Sequence, residues 1–137
     1  MDAKSRTAFG LLIAAQAAHS IEEYLFRLFD VFAPTRAIIG LFSRDLETGF
    51  VVANVGFVLL GVWSYLTRVR PGRPSARAWA WFWTILEGVN GFGHVAMAAV
   101  RGGYFPGAAT APVLAGASLY LGYRLMRTQT QRGSRPV

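Results

Sequence analysis

The chain has 137 residues, 53% of them hydrophobic and only 15% charged, with a formal net charge of +7 and a mean hydropathy of +0.35. A soluble domain is usually about a quarter charged, so the composition points to a membrane protein. With no cysteine, disulfides and thiolate metal ligands are excluded. The arginines gather in gaps between apolar runs and not on a soluble basic face, which argues against nucleic-acid binding.

Four apolar segments follow one another: Thr7 to Phe29, Thr48 to Leu66, Ala78 to Val100 and Phe105 to Met126. Each has about the 20 residues that an α-helix needs to cross the hydrocarbon core. The expected fold is therefore all-α, a polytopic bundle of four transmembrane helices forming one domain over residues 1–128. Residues 129–137 form a basic tail, expected to be disordered and cytoplasmic. The first segment starts after Lys4 and Arg6, and Ala15-Gln16-Ala17 resembles a signal-cleavage site. Hydrophobicity continues to Phe29, which favours an uncleaved span.

Between the first two segments, "APTRAIIGLFSRDLE" reads either as a short interfacial helix or as an ordered loop packed on the bundle. The link "TRVRPGRPSAR" holds Arg68, Arg70, Arg73 and Arg77, and Arg124, Arg127, Arg132 and Arg135 follow or end the last segment. Positive charge marks cytoplasmic loops, so both termini are expected in the cytoplasm of a cell whose cytoplasmic membrane holds the protein. Trp79, Trp81 and Trp83 fit an interfacial belt with some core packing. Gly107, Ala111 and Ala115, spaced by four, offer a small-residue face for close helix approach. Gly88, Gly91 and Gly93 either admit a neighbour or are ordinary transmembrane glycines.

Polar residues inside these segments carry the functional signal. His19, Glu22 and Glu23 of "HSIEE" span an arc of about 100° on a helical wheel, and Glu87, Asn90 and His94 of "LEGVNGFGH" fall within about 60°. Both stripes begin at a similar depth, so they are expected to face each other. Two imidazoles and three carboxylates in a low-dielectric interior call for a divalent cation. The expected ligands are His19, His94 and Glu87, with Glu23 or Glu22 completing the shell. Because Glu22 and Glu23 diverge by about 100°, only one should reach the ion, and the other would serve as general base or proton relay. Asn90 would orient a ligand or donate to a bound oxygen. One zinc or iron with an open position is preferred over a dinuclear centre, because the carboxylate-bridged di-iron pattern needs a fourth carboxylate. Asn54 and Thr110 are expected in ordinary interhelical hydrogen bonds.

"HSIEE", "NGFGH" and "PGAAT" (residues 106–110), in that order, resemble the bacterial HXXEE-domain family, which carries HxxEE, NxxxH and PGxxT motifs. The resemblance covers nearly the whole chain. It implies a small integral membrane domain and supplies positions without a reaction. The function expected from the residues is that of a metal-dependent membrane enzyme, a hydrolase or oxidoreductase, acting on a lipid-like or hydrophobic small molecule. The alternatives are a small ion- or proton-coupled transporter using the same His/Glu cluster and a polar cluster that only fixes helix pairing.

Overall fold

Asp2 caps the first helix by accepting from the Ser5 amide at 2.9 Å, and the chain then runs as α1, Ala3–Leu25. The computed structural model describes residues 1–133, with side chains described through Thr128. Phe26 ends α1, and Arg27 follows in the left-handed region at φ 54°. Few non-glycine residues adopt that conformation. Here the Arg27 guanidinium is held by Asp30 at 2.5 Å and Glu47 at 3.0 Å. The single apolar segment expected from Thr7 to Phe29 is thereby broken, and a short α2, Leu28–Val31, leads into α3, Ala33–Gly40. The stretch after Asp30 is thus helical, with Pro34 in the first turn, where its missing N–H costs nothing.

Asp45 opens α4, Leu46–Ser64, through bonds from the Glu47 amide and the Thr48 hydroxyl. The helix widens over Tyr65–Val69 into a π-helical turn, with the Arg70 amide reaching the Tyr65 carbonyl at 2.8 Å. Next come α5, Ala76–Arg101, ended by Gly102 at φ 65°, and α6, Ala111–Gly133. The α6 helix thus takes in the first part of the basic tail; the remainder lies outside the described residues. Residues 105–110, expected to be helical, form an irregular turn ahead of α6.

The expectation of four spanning helices is not met. Among the described residues only Leu46–Val69 is long and apolar enough to cross a membrane, with a mean hydropathy of 1.8 in its most apolar stretch. The other long helices match its length but not its composition. The first carries Lys4, Arg6, Glu22 and Glu23; α5 carries Arg77, Glu87 and Arg101 with three tryptophans; α6 ends in a run of arginines and glutamines. Length counted between charged loops ignored these interior polar and small residues.

Packing is tightest between α5 and α6, with α1 laid against α6. A side chain at Gly91 would meet backbone atoms of Ala115 and Ala111 at 2.8 and 3.0 Å, and one at Gly88 would meet the Ser118 hydroxyl at 2.9 Å. Gly91 therefore lets the two helices touch backbone to backbone and Gly88 makes room for the Ser118 side chain, whereas Gly93 faces open space. Trp83 is fully buried and donates to Ser64 at 3.3 Å. One apolar cluster gathers Phe9, Leu12, Trp83, Leu114 and Leu121, and a second gathers Leu28, Phe29, Ile39, Phe50 and Phe105. Along α1, the HSIEE residues fall between the two.

Candidate metal centre

His19 and Glu23 lie one turn apart on α1, so their side chains share a face, and His94 approaches them from α5. Glu23 Oε1 is 3.1 Å from His94 Nε2 and 3.5 Å from His19 Nε2. The two imidazoles meet edge to face with centroids 4.6 Å apart. One donor atom from each of the three residues lies within 4.8 Å of the others, and all three residues are buried. Ligands bound at about 2.0–2.1 Å in a tetrahedral shell stand roughly 3.3 Å apart, close to both distances from Glu23.

Each imidazole is fixed through its other nitrogen. His94 Nδ1 lies 2.6 Å from the Pro106 carbonyl. A carbonyl only accepts, so Nδ1 carries the proton and donates. His19 Nδ1 lies 2.8 Å from the Thr110 hydroxyl. That hydroxyl has one hydrogen and gives it to Glu22 Oε2 at 2.5 Å, so it accepts from His19 Nδ1–H. Both rings therefore turn Nε2 toward Glu23, and His19 Nε2 is buried with no hydrogen-bond partner. An imidazole held through one nitrogen with the other lacking a hydrogen-bond partner, as at His19, is what metal ligation requires, whereas His94 Nε2 is already paired with Glu23.

The turn before α6 makes this arrangement possible. Gly107 sits at φ 90°, and a Cβ there would lie 2.5 Å from His94 Nδ1 and 2.7 Å from His19 Cε1. Only glycine lets the backbone lie against both rings. Glu22, pointing away from Glu23, grips the same turn. It accepts from the Ala109 and Thr110 amides at 3.0 and 2.8 Å, from the Thr110 hydroxyl, and from the Tyr104 phenol. Burial pushes the Glu22 carboxyl up, but the Thr110 and Tyr104 hydroxyls and the two amides outweigh it and hold it down at about 2. Burial likewise raises Glu23, and its contacts with His19 and His94 reverse this, so the net direction is down. For His94, burial lowers the imidazole, and Glu23 with the Pro106 carbonyl raises it beyond its ordinary value.

Glu87, expected among the ligands, is not in the cluster. It lies two turns before His94 on the same face of α5, and its carboxylate is not among the donor atoms that converge on Glu23. It is fully buried, with Oε2 3.4 Å from Asn90 Nδ2 and Oε1 without a partner. Burial pushes its carboxyl up to about 7, against the Asn90 bond and with the nearby Glu23 charge adding to the rise. Asn90 and Glu23 both line a cleft of about 370 Å³ to which α1 through α5 each contribute, with α3 and α4 supplying Ile38 and Phe57 among its other walls. Asn54 makes the expected interhelical bond, accepting from Ser20 at 2.8 Å.

Several functional positions were not found from the residues alone. The Pro106 carbonyl and Tyr104 gave no pattern to read, and Gly107 was read as part of a helix face although Pro-Gly is a turn signal. Gln16 entered only as the middle of the cleavage-like Ala15-Gln16-Ala17 triplet.

No curated protein and no protein of solved structure matches this chain. Residues 10–121 match the family described as "Protein of unknown function with HXXEE motif"; the match covers most of the chain, and the chain belongs to that HXXEE family.

Proposed function

We propose that the protein is a metal-dependent enzyme that binds one zinc or iron through His19, Glu23 and His94 and acts on a hydrophobic small molecule. The observation that carries this reading is the convergence of three buried donors, with His19 Nε2 left unpartnered while both Nδ1 atoms are engaged elsewhere. Two imidazoles and one carboxylate leave positions open, as in catalytic zinc sites and non-haem iron centres. His19, Glu23 and His94 would hold the ion, which when bound would supply Lewis-acid polarisation of a carbonyl and activation of a water. Asn90, on the cleft wall, is placed to donate to a substrate oxygen. Glu22 acts as a positioning residue, because its oxygens are already occupied by four donors.

The cleft beside Glu23 supports an enzyme that takes an apolar substrate. A membrane setting is supported by the helix Leu46–Val69 and by large apolar side chains exposed on α4, such as Val52, Val55 and Leu59. Contiguous exposed apolar surface marks a membrane or partner contact.

Metal analysis of full-length protein purified without chelator tests the reading. About one ion per chain is expected, falling to near zero in His19→Ala, His94→Ala and Glu23→Gln. The double histidine variant should be little worse than either single one, because one shared ion is lost once. Wild-type protein without metal, or histidine variants that retain it, would end the metal reading. A weakly held ion that exchanges freely and crosses liposome membranes would replace the enzyme with a carrier.

A further inference from the structure

Gln16 is only 2% exposed and lines the cleft, yet its Oε1 has no hydrogen-bond partner. Its amide orientation follows from a chain of bonds that ends on a group of fixed polarity. Asn54 lies 3.1 Å from the Phe50 carbonyl; a carbonyl only accepts, so Asn54 must turn its NH₂ there. Asn54 Oδ1 then faces Ser20, whose hydroxyl donates to it at 2.8 Å. With its single hydrogen spent, Ser20 accepts from Gln16 Nε2 at 3.0 Å. Gln16 Oε1 is left as a bare acceptor, and a buried acceptor without a donor is costly.

Half of the cleft lining is apolar, Leu28, Ile38, Ile39, Phe50 and Phe57; besides Gln16 its polar residues are Thr35, Asn54, Asn90 and Glu23, which is paired with the two histidines, and it holds no lysine or arginine to meet an anionic head. Its volume of about 370 Å³ holds on the order of a dozen heavy atoms at ~30 Å³ each. Apolar walls with a few fixed polar groups are the usual form of a small-molecule site.

We propose that this cleft binds an uncharged, single-chain amphiphile of about a dozen heavy atoms whose head donates a hydrogen bond to Gln16 Oε1, the chain lying between α3 and α4. Primary fatty amides are the chemistry that fits: an N–H for Gln16, a carbonyl for Asn90 and the metal side of the cleft, and an apolar tail. The inference deepens the metal-enzyme reading and rests on it for the substrate's place beside Glu23, but the Gln16 seat is built without the metal ligands.

Saturation binding of radiolabelled decanamide to full-length protein in lipid nanodiscs tests it, with methyl decanoate as the partner probe that lacks a donor. Both are measured on chelator-treated and zinc-loaded protein. Decanamide should bind at least tenfold tighter than the ester. Gln16→Met, which keeps the length and removes the acceptor, should abolish that preference while retaining zinc, the sign that it folds. Thr35→Trp, which narrows the cleft from α3, should weaken decanamide more than butanamide. Equal binding of amide and ester by the wild type, or an unchanged preference in Gln16→Met, overturns the inference even where zinc binds. A Gln16-dependent preference in protein that takes up no zinc upholds the cleft and removes the metal.

Discussion

Replacing Gly107 with alanine is the sharpest single perturbation of the site. The new Cβ would stand 2.5 Å from His94 Nδ1 and 2.7 Å from His19 Cε1, where unstrained contacts need about 3.5 Å or more. Relief requires each ring to move by roughly 1 Å, while metal–ligand distances tolerate only about ±0.2 Å. Alanine at φ 90° adds backbone strain of about 1–3 kcal/mol, and overpacking a filled site costs a further ~1–3 kcal/mol. The variant should therefore lose at least ~2 kcal/mol of stability, which lowers Tm by roughly 5 °C or more in a chain of this size. Disturbing groups that orient ligands weakens metal binding by about 10–100-fold, and a displaced ring should reach the upper end. Thermal unfolding and zinc titration of the full-length protein measure both effects. Gly116→Ala is the control: a Cβ there meets nothing within 4 Å, and alanine in a helix interior gains about 0.5–1 kcal/mol over glycine. If Gly107→Ala keeps wild-type Tm and zinc affinity, the backbone does not lie against the rings and the assembled site is wrong.

Thr110→Val removes the hydroxyl that donates to Glu22 and accepts from His19, leaving buried groups unpaired. It should cost about 1–3 kcal/mol and weaken zinc binding by about tenfold or more, with Thr110→Ser restoring most of both; a serine variant as poor as valine would mean that the hydroxyl does not matter. Leu59 is 61% exposed on α4, and arginine in the middle of a membrane-spanning helix costs about 2.5–3.5 kcal/mol. Leu59→Arg should therefore shift the protein out of the membrane fraction in cell fractionation, and recovery of the wild type in the aqueous fraction would remove the membrane reading.

The pairing of His19 with His94 was legible because helical periodicity fixes which residues share a face, and two polar stripes in apolar helices have few partners other than each other. Periodicity does not say which residues of one face converge on a single point, and that is why Glu87, two turns from His94, looked equivalent to Glu23 although the converging donors are those of His19, Glu23 and His94. Nor could it separate Glu22 from Glu23. Their different tasks depend on which neighbour each meets: α5 for Glu23, and the 104–110 turn for Glu22. That turn was hidden because residues 105–117 are apolar or small apart from Thr110, and only Pro106-Gly107 hinted that the helix starts later. The break at Arg27 was hidden for a related reason. It depends on Glu47, twenty residues away, and no local pattern carries such a contact. The count of spanning helices failed on composition, since stretches of adequate length in α1, α5 and α6 carry too many polar groups.

The grip of Glu22 on the Ala109 and Thr110 amides also bears on how the protein is made. Those N–H groups stand immediately ahead of α6, so a carboxylate from α1 neutralises the start of a helix up to 88 positions later in the chain. At about 5–20 residues per second of synthesis, the HSIEE segment waits roughly 4 to 18 s for its counterpart to emerge. Throughout that interval Glu22 is a charged group with none of these donors, and His19 lacks the hydroxyl that sets its proton. A nascent chain halted before residue 109 therefore leaves Glu22 without its amide donors and His19 without the Thr110 hydroxyl, even though Glu23 can already meet His94, and the full arrangement comes into being only when the final helix begins.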